Sequence, residues 1–187
     1  MLKINEEVPD FEAEAYQDDQ IKKIRFSDYR GKWMILLFYP GDFTFVCPTE
    51  LQELGQLYGS FKKEGAEVFS VSKDSVFVHK AWHDNSPAIS KITYPMVADP
   101  SGKICQEFGT LIDDEGMSLR GSFIVDPDGR LKALEIQDNN IGRSMDELLR
   151  KLQAAKFVRE HKGNVCPASW HPGEETLKPG LDLVGKI

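Results

Sequence analysis

Two strand-like runs separated by one helical segment constrain the fold of this chain more than any other feature. Residues 33–40 read WMILLFYP and residues 66–74 read AEVFSVSKD, and each is a short apolar run of the length expected for a buried strand. Between them, over residues 49–64, leucines and a phenylalanine recur at helical spacing. Strands that alternate with helices in this way predict a protein of the α/β class.

The rest of the chain continues this alternation and then departs from it. Residues 75–85 and 101–109 each predict a short helix, and residues 94–100 predict an extended segment between them. Residues 121–137 predict a β-hairpin around the turn DPDG, and residues 144–163 predict a helix that opens with a capping box. A late hairpin and a final helix predict a sheet of mixed direction flanked by helices.

The last segment differs from everything before it. Residues 164–187 are rich in proline and glycine and show no hydrophobic periodicity. We therefore expect one domain over residues 1–163, followed by an arm over residues 164–187 that packs on the domain or on a neighbouring subunit. The chain of 187 residues is long enough for one domain with a sizeable core.

Composition and charge exclude several classes of function. Hydrophobic residues make up 41% and charged residues 28%, as in ordinary globular proteins. The net charge is 23 − 30 = −7 and there is no basic cluster, so we expect no nucleic-acid partner. No apolar run approaches the roughly 20 residues that cross a bilayer. The acidic start MLKINEEVPDFEAEAY lacks the apolar core of a signal peptide, so we expect no secretion. We expect no membrane partner and a cytoplasmic location.

The cysteines are few and widely spaced. Their number is odd, at three, and they are Cys47, Cys105 and Cys166. This pattern does not fit a small disulfide scaffold, and disulfides in reducing compartments are usually transient and catalytic. Cys105 lies in a short amphipathic helix between two apolar residues, which indicates a core position.

Cys47 lies where the first predicted strand passes into a helix. Pro48 follows it, and proline fits the first turn of a helix because the amide hydrogens there have no intrahelical partner. Thr44 is a candidate N-cap or near-cap residue. The free N–H groups and the dipole of a first helical turn stabilise a thiolate. The alternative is a buried cysteine that acts as a small apolar side chain.

Two histidines have a spacing that metal sites use. His79 and His83 stand four residues apart in HKAWH, but no third ligand is apparent and the glutamate of a metalloprotease motif is missing. His161 and His171 are interpreted as surface residues. We therefore predict no metal site.

Two separate motifs resemble those of one enzyme family. The stretch PGDFTFVC, Pro40 to Cys47, matches the Pro-x-x-x-Thr-x-x-Cys signature of peroxiredoxins, and GNVCPASW resembles the resolving-cysteine segment of their typical two-cysteine members. The DEG segment and the final LDLVGKI resemble the bacterial alkyl hydroperoxide reductase branch of that family. The resemblance extends along nearly the whole chain.

The resemblance implies a fold, an activity and a set of site residues. The fold would be a thioredoxin-like domain with an N-terminal extension and a C-terminal arm, and the activity would be the reduction of hydrogen peroxide and alkyl hydroperoxides. Cys47 would be the peroxidatic cysteine, with Thr44 and Arg120 contacting the sulfur and the peroxide. The remaining implied positions are Pro40, which would shield the sulfur from water, and Glu50 and Arg143, which would orient the arginine.

The resemblance also implies partners. Cys166 would be the resolving cysteine, forming a disulfide with Cys47 of a second chain in a homodimer. Dimers would assemble into a ring, commonly a decamer. A disulfide reductase, either a flavoprotein or a thioredoxin-type protein, would regenerate the thiols, and the chain itself would need no metal, haem or flavin.

Two other functions compete with this interpretation. A thiol–disulfide oxidoreductase of thioredoxin type needs a Cys-x-x-Cys pair. Cys47 is followed by Pro48, Thr49 and Glu50, which counts against that function. A non-enzymatic assembly or chaperone role, in which the surface of an oligomer does the work, stays open as an added activity.

Overall fold

Most strands of the computed structural model, which describes residues 2–187, belong to one sheet. In chain order the strands are β1 Glu12–Gln17, β2 Gln20–Arg25, β3 Trp33–Phe38, β4 Ala66–Ser72, β5 Met96–Ala98, β6 Leu111–Ile112, β7 Met117–Ser118, β8 Arg120–Val125 and β9 Leu131–Gln137. The helices are α1 Cys47–Lys63, α2 Val76–Asn85, α3 Lys103–Phe108 and α4 Met145–Glu160. The chain divides after Met145 into two compact units.

The predicted mixed α/β sheet is confirmed. Its strand order is β2-β1-β5-β4-β3-β8-β9, and β6 pairs with β7 separately. β3 runs parallel to β4, and β4 runs parallel to β5, whereas the other neighbouring strands of the large sheet are antiparallel. Over residues 2–187, no helix combines the length and the apolar character that crossing a membrane requires.

The N-terminal hairpin of β1 and β2 was not predicted. Its two-residue connection, Asp18 and Asp19, has φ angles of 52° and 57°. Left-handed backbone at both central residues is the geometry of a type I′ turn, which matches the twist of paired strands and which aspartate tolerates. The strands carry many charged residues, so their alternation is weaker than that of the core strands.

The central strand β3 determines where the site lies. All six of its residues are buried, and an aromatic cluster that includes Phe38, Phe108 and Phe123 packs around its end. Phe38, the last residue of β3, pairs with Gly121, near the start of antiparallel β8. The start of β8 therefore lies beside the point where the chain leaves β3 toward α1.

The second unit contains most of α4 and the C-terminal segment. Trp170 is buried and its ring centroid lies 4.8 Å from that of Phe157 on α4. Arg150, also on α4, donates to the Trp170 carbonyl at 3.0 Å. A backbone bridge joins Val165 to Leu177. The C-terminal segment, whose sequence has no helix or strand periodicity, is thus held by contacts around the buried residue Trp170.

Candidate active site

Cys47 is the first residue of α1 and its side chain is fully buried. Pro48 follows in the first turn of the helix, where its missing N–H costs no hydrogen bond. The sulfur therefore lies at the positive end of a helix of 17 residues, close to the end of β3.

The expectation that Thr44 caps α1 is wrong. The N-cap residue is Val46, and its backbone carbonyl accepts from the amides of Thr49 and Glu50 at 3.0 and 3.3 Å. Because this carbonyl already satisfies those two amides, no side-chain cap is needed. The Thr44 hydroxyl instead donates to the Gly41 carbonyl at 2.9 Å. Its hydrogen is used within the loop, so its oxygen is left as a hydrogen-bond acceptor.

Arg120 connects β8 to Cys47. It is the first residue of β8, and its side chain is only 3% exposed. Its Nη1 donates to Cys47 Sγ at 3.3 Å and to Glu50 Oε2 at 2.7 Å. Its Nε donates to the backbone carbonyl of Asn139 at 2.9 Å. The guanidinium is thus held on both sides in contact with the sulfur.

Glu50 is the centre of this hydrogen-bond network. Arg143 donates to Oε1 from its backbone N at 2.8 Å and from Nε at 2.9 Å, and to Oε2 from Nη2 at 2.9 Å. With the bond from Arg120, both oxygens of the carboxylate accept two hydrogen bonds each. Burial acts to raise the pKa of Glu50, but the hydrogen bonds and the charge of Arg143 outweigh it and hold the pKa below its ordinary value.

The charges of this cluster balance only in one state of Cys47. Arg120 and Arg143 are cationic and almost fully buried, and Glu50 supplies one negative charge. A thiolate at Cys47 supplies the second, whereas a neutral thiol would leave one buried positive charge uncompensated. Uncompensated buried charge is strongly unfavourable, so a second negative charge at the sulfur would complete the balance of the cluster.

Pro40 and Cys166 are two further residues that the sequence predicts for the site. Pro40 is buried and lies two residues after β3. Cys166 lies in the second unit, partly exposed, with Sγ 3.9 Å from the Ala154 carbonyl. Burial raises the pKa of the Cys166 thiol, and Arg150 opposes this shift. All three cysteines are free thiols in this structure.

Cys105 is the core residue that the sequence predicted. It is fully buried, and its backbone N donates to Asp99 Oδ2 at 2.8 Å. Burial, together with the charge of Asp99, raises the pKa of Cys105 to about 12. A thiol that resists ionisation is a poor nucleophile. Cys105 is therefore a structural residue.

A buried polar network next to the site was missed at the sequence level. His79 has no exposed surface, and its Nδ1 lies 2.7 Å from Asp42 Oδ2. Tyr39 donates to the other oxygen of Asp42 at 2.7 Å. These bonds fix the loop between β3 and α1. His79 thus has a partner other than a metal, and residues 2–187 contain no group of three or more side chains arranged to ligate one.

Comparison with known proteins identifies close relatives along the whole chain. Residues 4–134 match the model of the AhpC/TSA family, and residues 154–184 match the C-terminal domain of 1-Cys peroxiredoxin. Alkyl hydroperoxide reductase C of Staphylococcus epidermidis is 50% identical, and that of Staphylococcus aureus is 51% identical, each over 189 aligned positions that span both chains completely.

Solved structures agree with this sequence similarity. The crystal structure of Enterococcus faecalis AhpC matches with a TM-score of 0.87 at 49% identity and covers 89% of this chain and 100% of its own. The reduced 2-Cys peroxiredoxin of Plasmodium vivax matches with a TM-score of 0.92 at 34% identity, covering 96% and 94%. The thioredoxin fold of those proteins is therefore the fold of this chain.

Proposed function

The chain belongs to the AhpC/TSA family of peroxiredoxins, which are peroxide-reducing enzymes, and we propose that its Cys47 thiolate is the group that attacks the peroxide. Hydrogen peroxide and alkyl hydroperoxides are the proposed substrates. The observation that carries this proposal is the buried cluster of Cys47, Arg120, Glu50 and Arg143, whose charges balance when Cys47 is ionised.

The proposed reaction transfers one oxygen atom to sulfur. The Cys47 thiolate attacks the terminal oxygen of the peroxide, the O–O bond breaks, and the sulfur is oxidised by two electrons to sulfenic acid. The other oxygen leaves as hydroxide or alkoxide and takes a proton from solvent, giving water or an alcohol. Arg120 stabilises the negative charge that develops on the leaving oxygen. The Thr44 oxygen accepts a hydrogen bond from the peroxide hydroxyl, whose hydrogen stays on the oxygen that is transferred to sulfur. Pro40 shields the sulfur from bulk water.

Cys166 is the proposed resolving residue. Its thiol condenses with the sulfenic acid of Cys47 in a second chain, releasing water and forming an intersubunit disulfide. The arm over residues 164–187 would deliver this cysteine. The strand β9 lies at the edge of the sheet, and an edge strand is a surface along which a second copy can pair across a two-fold axis. Such dimers would assemble further into a ring.

The catalytic cycle needs an external electron donor. A disulfide reductase, either a flavoprotein or a thioredoxin-type protein, would return both sulfurs to thiols. A cycle that ends in two free thiols suits the reducing cytoplasm.

The proposed activity is tested by following peroxide loss with a small dithiol as reductant. We expect the protein to consume hydrogen peroxide and tert-butyl hydroperoxide catalytically, over many turnovers per chain. Peroxide loss no faster than with the dithiol alone would contradict the proposal.

The intersubunit disulfide makes a separate prediction. Peroxide-treated wild-type protein is expected to run as a covalent dimer on a denaturing gel without reductant, because Cys47 of one chain bonds Cys166 of the other. Cys166→Ser should remain monomeric and accumulate the Cys47 sulfenic acid, which a dione reagent traps for mass spectrometry. Wild-type protein that runs only as a monomer after oxidation would rule out the intersubunit bond.

A further inference from the structure

Two buried amide oxygens beside the proposed site have no hydrogen-bond partner. They are Gln137 Oε1, at the end of β9, and Asn139 Oδ1, two residues later. Native proteins rarely leave such groups unpaired, because a buried acceptor without a donor loses its hydrogen bonds to water and gains none in return. Each therefore needs an explanation.

Gln137 is the direct neighbour of Arg120 in the sheet. The two residues are paired across β8 and β9, so their side chains extend from the same face, with Cβ atoms about 4.5–5.5 Å apart. The bond from Arg120 Nε to the Asn139 carbonyl, at 2.9 Å, holds the guanidinium against this same segment. On its other side the guanidinium contacts Cys47 Sγ.

Arg120 has N–H donors that its hydrogen bonds do not use. Its hydrogen bonds use Nε and Nη1, and none of them uses Nη2. A guanidinium carries five N–H groups, so two donors remain on Nη2. Arg120, which contacts the Cys47 sulfur through Nη1, thus has an unused donor, and Gln137, its register neighbour, has an unpaired acceptor. Together they fit a small molecule whose one oxygen both accepts and donates a hydrogen bond.

We propose that Gln137 is a specificity-determining residue, whose Oε1 accepts the hydrogen on the leaving oxygen of hydrogen peroxide. An alkyl hydroperoxide carries carbon at that position and has no hydrogen to donate. This inference rests on the proposed peroxidase function. When the O–O bond breaks, the leaving oxygen departs as hydroxide, keeps the hydrogen that Gln137 accepts and takes its second proton from solvent. The sulfur is oxidised by two electrons in the same step.

The preference for hydrogen peroxide over alkyl hydroperoxides follows from whether the Gln137 acceptor is paired in each complex. With hydrogen peroxide bound, both its leaving oxygen and the Gln137 amide are satisfied. With an alkyl hydroperoxide bound, the Gln137 acceptor stays unpaired, as it is in the free protein. A site built to bond a substrate hydrogen discriminates against the analogue that lacks it for this reason.

The test compares two substrates in wild-type protein and in Gln137→Met. Methionine has nearly the same length and removes the acceptor. We expect the ratio of kcat/KM for hydrogen peroxide to kcat/KM for tert-butyl hydroperoxide to fall about five- to tenfold, as the loss of one hydrogen bond predicts. Gln106→Met, at an exposed position of α3, is the matched control and should leave the ratio unchanged. Thermal melting and the alkylation rate of Cys47 verify that the fold and the sulfur are intact.

Three results would overturn the inference. An unchanged ratio would show that Gln137 does not contact the leaving oxygen. An equal loss for both peroxides would show that it only supports the position of Arg120. A ratio that falls in Asn139→Leu and not in Gln137→Met would assign the contact to the other amide. Failure of the proposed function is distinguishable, because wild-type protein would then consume neither peroxide.

Discussion

Replacement of Cys47 by serine is expected to lower peroxide consumption by at least about a thousandfold. A serine hydroxyl stays protonated beside Arg120, so it supplies neither the nucleophile nor an atom that can be oxidised to a sulfenic acid. The measurement is the rate of peroxide loss with an excess of dithiol. Cys105→Ala is the matched control, since that cysteine is also fully buried but lies outside the charged cluster.

The contrast between these two cysteines makes the result decisive. Cys105→Ala should retain peroxidase activity, with at most a modest loss of thermal stability from the small cavity. Equal activity in Cys47→Ser and wild-type protein would remove the proposed mechanism. Loss of activity in both variants would indicate that the substitutions act through the fold.

Replacement of Arg120 by methionine is expected to lower kcat/KM for peroxide about 10²- to 10³-fold, the usual cost of removing one preorganised donor at a developing negative charge. The substitution has a second effect, because it removes the guanidinium that contacts Cys47 Sγ and leaves Arg143 and Glu50 to balance one another. Steady-state rates of peroxide loss at a series of peroxide concentrations give kcat/KM for the variant and for wild-type protein.

Two variants help to separate charge from geometry. Arg120→Lys keeps the positive charge but loses the planar guanidinium that bonds the Cys47 sulfur, the Glu50 carboxylate and the Asn139 carbonyl. We therefore expect its peroxidase activity to lie between that of wild-type protein and that of Arg120→Met. Arg25→Met is the control, because Arg25 is half-exposed and its ion pair with Glu12 lies outside the charged cluster. Full activity in Arg120→Met would mean that the guanidinium only stabilises the fold.

The sequence predicted the centre of the fold better than its N-terminal part. β3, α1 and β4 were recognisable because continuous apolar runs alternate with one helical period, and each pattern follows from complete burial of a face. The hairpin of β1 and β2 has one face in water and many charged residues. Only the dipeptide Asp18-Asp19 could have indicated its turn.

The contacts of the site could not have been predicted from residue patterns alone. Arg120 and Arg143 are 70 and 93 residues from Glu50, and each resembles a solvated surface charge until the fold buries it. They were named through the family resemblance. The pair of Asp42 and His79, 37 residues apart, was missed, because Asp42 stands at an unspecified position of the Pro-x-x-x-Thr-x-x-Cys signature. The Thr44 cap was wrong because a backbone carbonyl had already taken its role.

The charge balance around Cys47 bears on when, in the proposed reaction, the first turn of α1 can loosen. Conversion of the thiolate to sulfenic acid removes one of the two negative charges that offset Arg120 and Arg143. The pocket then contains excess positive charge, so it stabilises the oxidised Cys47 side chain less than it would stabilise the thiolate. In the proposed mechanism, oxidation by the substrate would therefore loosen the first turn of α1 only after the sulfur has reacted. The catalytic cysteine would then become free to meet its resolving partner when it carries the oxygen, and at no earlier stage.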